Sequence, residues 1–303
     1  MNKSFTLIEI LVVIVVIGIL SAFILVGMSS ITSSANIAKG KAFVNSMDNS
    51  LLLARVSQWK LDESSGITAY DSWGTNTGTL TGGATIPLIQ TTGCVSNNCL
   101  LFDGTDDYVD VLDSTTLNPT NGITMSAWIK RTGKLSDTDI IVSKDNVAAK
   151  RQYVIYLSPT NSFNFIIFKS DISYTSISSS SIYSSLNVWY HVVGTYRYVT
   201  DGTSIMDLYI NSSKNATQVT NAVGPILISD EHLRIGDDGY AATNRTFQGL
   251  IDDVRVYNQA IPTSEIQQDY YVGINKLFKN NGISSKEFDQ RIVELKNNIV
   301  ENE

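Results

Sequence analysis

The chain has 303 residues and a formal net charge of −7, and only 17% of its side chains are charged. That length suits one or two domains, and a body of about 200 residues buries enough core to stand without metal or disulfide staples. Basic residues form no cluster beyond pairs such as Lys150–Arg151, so the phosphate backbone of a nucleic acid is not expected as a partner. Abundant Ser, Thr, Asn, Gly and Tyr suit a secreted, turn-rich β protein better than a helical cytosolic enzyme.

From Ile10 to Met28, nineteen residues carry no charge, which makes about 28 Å of helix. That is enough to cross the hydrocarbon core of a bilayer. A secretory signal would have a shorter apolar run and a small-residue cleavage site, which Ser21–Ala22 imitates poorly. Lys3 and the free amine place the N-terminus on the cytoplasmic side. Glu9 lies at the edge of the span, where a carboxylate costs on the order of 2.5–3.5 kcal/mol unless it is hydrated or paired. Beyond the span, Ile37, Val44, Met47, Leu51 and Ala54 form one apolar stripe. Residues 5–56 are therefore expected to make one helical rod of about 78 Å.

The string FTLIE at 5–9, after a short basic leader and before an apolar stretch holding Gly18, resembles the type IV pilin and pseudopilin family. The resemblance implies a prepilin leader at 1–4, cut by a prepilin peptidase between Ser4 and Phe5, and N-methylation of Phe5. It also implies that Glu9 pairs with the amine of Phe5 in a neighbouring subunit, two charges that satisfy each other where either alone is expensive. The precursor would be a single-pass protein of the prokaryotic cytoplasmic membrane with its C-terminal domain outside. Inner-membrane assembly machinery would then build it, with other pilin subunits, into an extracellular fibre. Two positions depart from the pattern: Ser4 replaces the usual glycine, and Val26 stands where many pilins carry a helix-breaking proline. The second departure fits a pseudopilin-like or a divergent subunit equally well.

After Val56 the pattern changes to short alternating strands between Gly, Asn, Asp and Ser turns, such as ITMSAWIKR (123–131), QYVIYLS (152–158), VWYHVVGTY (188–196) and IMDLYIN (205–211). Such spacing predicts a sandwich or jelly roll. WKLDESSGITAYDSWGTNTGTL (59–80), LLFDGTDDYVDV (100–111), HLRIGDDG (232–239) and FQGLIDDVRVYNQAIPTSEI (247–266), in that order with the strands above, resemble the laminin-G-like, concanavalin A-type jelly roll. The expected fold is mainly β: an antiparallel sandwich over 57–271 on a pilin-type N-terminal helix, with Trp128, Ile129, Trp189, Val192 and Tyr209 as packing residues. In the tail, 272–303, Asn281–Gly282 reads as a turn and Ser284 with Glu287 as a capping box. Phe288, Ile292, Leu295 and Ile299 give a helical stripe, expected to pack on the sandwich rather than on a neighbouring subunit.

The two cysteines, Cys94 and Cys99, bracket four residues. Two thiols without a nearby His lack a metal ligand set, and export favours a disulfide over free thiols. A retaining glycosidase needs two carboxylates about 5–5.5 Å apart, and no E-x-D-x-E string is present. Asp110 with Asp113 and Asp252 with Asp253 come nearest, while His191 and His232 read as strand residues, so no enzyme is expected. The Asp-rich loops suit calcium, although Asp also favours turns by bonding its own backbone. The laminin-G-like resemblance implies Asp71, Asp103 and Asp252 as calcium ligands. Trp73 and Tyr240, with Tyr174 and Tyr183, sit in turn-like contexts where an exposed ring can stack on a sugar, although Trp73, in the DSWG turn, reads first as a structural part of it. The run 173–185 reads as an edge strand or loop that lines a site or is merely solvated.

The expected role is a structural subunit of a pilus or pseudopilus-like fibre that displays a lectin-like domain for adhesion to glycans or surface proteins. The alternatives are a minor pseudopilin of a type II secretion-like system that contacts exported cargo, or a displayed carbohydrate-active enzyme.

Overall fold

The computed structural model describes residues 54–300 apart from 134–137, 147–149, 170–172, 200–202, 221–223 and 240–244. The expectations for Ser4, Phe5, Glu9, Tyr240 and nearly all of the helix at 5–56 lie outside the described residues. Among those residues no helix is long and apolar enough to cross a membrane. At the one end of the expected rod that is described, Arg55 and Val56 already belong to a strand.

In chain order the strands are β1 (Arg55–Trp59), β2 (Thr68–Ala69), β3 (Gly78–Thr81), β4 (Leu88–Gln90), β5 (Cys99–Asp103), β6 (Tyr108–Val111), β7 (Gly122–Arg131) and β8 (Asp139–Lys144). They continue with β9 (Tyr153–Leu157), β10 (Phe163–Phe168), β11 (Tyr174–Ser178), β12 (Trp189–Tyr198), β13 (Ser204–Ile210), β14 (Ser213–Thr220), β15 (Leu233–Ile235) and β16 (Gln248–Tyr257). Two helices follow, α1 (Thr263–Lys279) and α2 (Ser285–Val300). One sheet runs β14-β13-β12-β7-β16-β5-β4, with β1 also on β16; the other runs β11-β10-β9-β8-β15-β6-β3-β2. Every pairing is antiparallel, so the described part is the expected sandwich.

Side-chain alternation along each strand decides the layering. On β7, Ile123, Met125, Ala127 and Ile129 enter the core between the sheets, whereas Trp128 faces the other way, into a second cluster with Trp189, Tyr270, Ile274, Leu277 and Leu295. Gly194 of β12 sits where a Cβ would come within 2.6 Å of the Phe165 ring across the core. The expected packing residues are all buried, but Trp128 and Trp189 lie beneath the helices rather than between the sheets.

The helices cover the part of the first sheet's outer face around Trp128, Trp189 and Leu250. Gly273 of α1 is required by contact, since a Cβ there would meet the Trp128 ring at 2.3 Å. The residue boundary expected at 271/272 falls inside α1, which is one continuous helix. Its end is formed by Asn281 at φ 56° and by Gly282 N–H donating to Leu277 O at 2.8 Å. Ser284 Oγ accepts the Glu287 N–H at 3.2 Å, as the capping pattern anticipates, but the Glu287 carboxylate bonds Arg291 instead of closing the box. Arg291 also donates to Trp189 O at 2.9 Å, and Leu295, Phe288 and Ile292 pack in the second cluster. The tail therefore packs on its own sandwich.

A buried charge network fixes α1. Arg255 donates to Asp253 at 3.2 and 2.7 Å and pairs with Asp269 of α1, while Gln58 of β1 donates to Asp253 at 2.8 Å. Burial alone would raise the Asp253 carboxyl, but Arg255 and Gln58 hold it below its ordinary value.

His191 sits among these groups, 2% exposed, its ring stacked 5.0 Å from Trp128 and 6.1 Å from Tyr270. Burial, with Arg255 adding to it and Asp269 and Asp253 opposing it, holds its pKa down to about 4. Above about pH 6.5 the group is neutral folded or unfolded. As pH falls towards 4 the unfolded chain takes a proton that the folded one refuses, so stability drops. Asp107, raised to about 6 by burial, works in the opposite direction over the same range, so the variant must be compared with the wild type at each pH. His191→Phe is expected to remove about 2–3 kcal/mol of the wild type's loss between pH 7 and 4.5, read by urea unfolding. Identical pH slopes in the two proteins would refute the assignment.

Candidate functional site: an open groove on the second sheet

The helices cover the first sheet around Trp128 and Trp189 and leave a groove over β12–β14; a second groove lies on the outer face of the second sheet. Tyr153, Ile155 and Leu157 of β9 and Phe163, Phe165 and Ile167 of β10 point into the core. Their alternates, Val154, Tyr156, Ile166 and Phe168, join Ile140 of β8 on the outside. Strands apolar at nearly every position normally lie under a second layer. Here they floor a cavity of 310 Å³, which Tyr174 and Ser176 of β11 also line.

Two ion pairs border this floor. Arg151 donates through Nε and Nη2 to Asp145 at 2.7 and 2.9 Å, and its guanidinium lies 4.2 Å over the Phe168 ring. Arg245 pairs with Asp238 at 2.5 Å. The carboxylates lie underneath, with side chains 3% and 1% exposed, against 36% and 23% for the two guanidinium side chains. Tyr174 is 59% exposed, its ring 5.7 Å from that of Phe168. The arrangement offers apolar ring faces beside fixed donors, the chemistry of a site for a small polar ligand.

Of the residues expected from the sequence, the 173–185 run does line this groove, through Tyr174 and Ser176. Asp145, Arg151, Asp238, Arg245, Tyr156 and Phe168 were not singled out as ligand-facing. The signal for them is the unbroken apolar run of YVIYL and FNFIIF, which shows two apolar faces without saying which one stays open.

Trp73 lies elsewhere, 39% exposed, with the Arg55 guanidinium 4.8 Å over its ring. It belongs to a turn organised by Asp71, whose Oδ1 accepts N–H groups from Gln58, Trp73 and Gly74 at 2.8–3.0 Å. Asp71 Oδ2 accepts from Asn76 at 3.0 Å. Cys94 and Cys99 are joined, their Cα atoms 5.5 Å apart. The loop they close is held by Asp252, whose Oδ2 accepts the Val95 and Ser96 N–H groups at 2.8 and 3.1 Å. Burial raises the Asp252 carboxyl well above its ordinary value. Asp110 is engaged with His232 at 2.9 Å and Asp113 with Lys144 at 3.0 Å.

The calcium set therefore needs correction. Asp71, Asp103 and Asp252 do not meet: Asp71 is saturated by backbone amides, and Asp252 is grouped only with the disulfide sulfurs. Asp103 instead joins Asp106 and Asp107, with one ligand atom from each within 4.8 Å of the others. These hard carboxylate oxygens fit calcium, and Asp107 Oδ1 is buried without a hydrogen-bond partner among the described residues. Burial raises the metal-free Asp107 carboxyl to about 6, so below that pH protons compete with calcium for it. Calcium is expected to raise the melting temperature at pH 7.5 and far less at pH 5, and Asp106→Asn to remove the rise. A calcium response that survives Asp106→Asn would place the ion elsewhere.

Comparison with known proteins adds three findings. The profile of the concanavalin A-like lectin/glucanases superfamily matches residues 103–267, and that of the prokaryotic N-terminal methylation motif matches residues 1–25. No curated protein matches. Among solved structures, the binding domain of Paraclostridial Mosquitocidal Protein 1 superposes with a TM-score of 0.57 at 18% identity, covering 74% of this chain and 53% of that one. The botulinum neurotoxin serotype D ligand-binding domain, in complex with N-acetylneuraminic acid, gives 0.56 at 15% identity, covering 75% and 53%. The serotype G binding domain gives 0.54 at 14%, covering 73% and 51%. This chain spans about half the length of those structures, and at such identities the likeness shows the fold alone. The sandwich, its order of strands and the profile over more than half of the sequence agree: the chain belongs to the concanavalin A-like lectin/glucanases superfamily and carries the N-terminal methylation motif of type IV pilins.

Proposed function

We propose that this chain is a pilin-like fibre subunit that displays its jelly roll as a lectin-like binding module, with the groove on the second sheet as the glycan site. The observation that carries this is the union, in one chain, of the methylation motif at 1–25 and a lectin-superfamily domain at 103–267. In this reading a prepilin peptidase cuts between Ser4 and Phe5, and Glu9 meets the methylated Phe5 amine of the next subunit. The single-pass precursor passes from the cytoplasmic membrane into an extracellular fibre with other pilin subunits. The solved structures of similar fold are ligand- or receptor-binding domains by their descriptions, one of them holding a sialic acid, which supports binding as the role. Turnover is not part of the proposal, since each groove carboxylate, Asp145 and Asp238, is tied to an arginine. Val26, at the place of the family's usual proline, is equally compatible with a second reading, a minor pseudopilin that contacts exported cargo.

Shearing the cells separates the two: a fibre subunit is expected to dominate the sheared fraction, and a minor pseudopilin to be scarce in it. Mass spectrometry of the N-terminal peptide is expected to show loss of residues 1–4 and one added methyl group. An intact Met1 terminus would end the prepilin reading. Glycan-array binding by the full-length chain in detergent micelles, lost on Tyr174→Ala, is expected for the lectin role, and an array without any binding would refute it.

A further inference from the structure

The polarity of the groove points beyond binding as such. The two arginines bordering it have their counter-carboxylates beneath them: the Asp145 and Asp238 side chains are 3% and 1% exposed, those of Arg151 and Arg245 36% and 23%. Formal charge cancels within each pair, yet a ligand entering the groove meets guanidinium before carboxylate. Arg151 is also held in place. Its two bonds to Asp145 use Nε and Nη2, and its plane rests on Phe168. The Nη1 amino group remains for another acceptor, and little side-chain entropy is left to lose on binding. A guanidinium fixed in this way suits a carboxylate, which takes charge-assisted hydrogen bonds from it. Beside it, the exposed Tyr174 ring and the Ser176 hydroxyl line the same cavity, a stacking face and a hydroxyl partner suited to a pyranose ring.

We infer that the groove selects acidic glycans, sugars bearing a carboxylate such as a uronic or sialic acid, with Arg151 and Arg245 receiving the acid and Tyr174 the ring. This rests on the glycan reading of the groove. The whole chain carries −7, so its long-range field repels anions, and the selectivity must arise in direct contact. That favours a compact acidic sugar with a ring to stack over an acidic peptide.

Calorimetry on the full-length chain in detergent micelles tests this with trigalacturonate and sialyllactose, each beside its methyl ester, and with poly-glutamate. The acids are expected to bind at least about tenfold more tightly than their esters, the gap that loss of a charge-assisted contact produces. Poly-glutamate is expected not to bind. Arg151→Gln is expected to abolish the preference for acid over ester. Because that change leaves Asp145 buried and unpaired, the double variant Asp145→Asn/Arg151→Gln, with no uncompensated charge, is measured as well. Esters that bind as tightly as the acids would overturn the acidic preference while leaving the glycan site standing. Poly-glutamate that binds as tightly as the sugars would overturn the glycan class. A chain that binds none of these probes, and no neutral glycan on an array, would overturn the inference together with the reading beneath it.

Discussion

The pairing of Arg255 with Asp253 and with Asp269 is the contact on which the rest of the architecture turns. It lies where β16 changes partner: residues 248–251 pair with β5 and residues 254–257 with β1. Asp253, at φ 46°, bends the strand between the two. Removing one member of such a buried pair costs about 3–5 kcal/mol, because the other is left charged and unpaired. Through Asp269 the same pair brings α1 onto the first sheet. The helices therefore cover the middle of the first sheet, while the groove lies on the opposite side of the sandwich.

The sandwich was legible because its long strands alternate. In ITMSAWIKR, Ile123, Met125, Ala127 and Ile129 alternate into the core, and Trp128 is the exception, apolar on the other face. That exception marks the place where the helices dock, a meaning that appears only once α1 is seen against it. The tail was legible in its turn, its Ser284 cap and its apolar stripe. The division at 271/272 was not, because α1 carries one buried face through Tyr270, Gly273, Ile274 and Leu277 and no local signal interrupts it.

The groove was the least legible part. Its members are spread over β8 to β11 with Asp145, Arg151, Asp238 and Arg245, and no short motif joins them. Their apolar floor looks like core in sequence because a strand buried on both faces and a strand that floors a binding surface share one pattern. The aspartates misled for a related reason. Asp71 occupies a family motif, but four backbone amides consume its carboxylate. Asp107, a neighbour in the same FDGTDD string as Asp103, keeps an oxygen buried and unpartnered. What distinguishes a turn-forming aspartate from a ligand is which lone pairs remain, and that depends on backbone geometry.

The register of β1 also bears on the order of events during synthesis. Arg55 pairs with Tyr257, and Trp59 with Val254, so the first strand of the sandwich is hydrogen-bonded to its last. In a chain made from its N-terminus, β1 finds only the nearby turn at Asp71 until β16 has emerged, and such long-range closure is slow. The sandwich is therefore completed late, after synthesis of β16, and the cluster of α1 and α2 around the Cys94–Cys99 bridge closes later still.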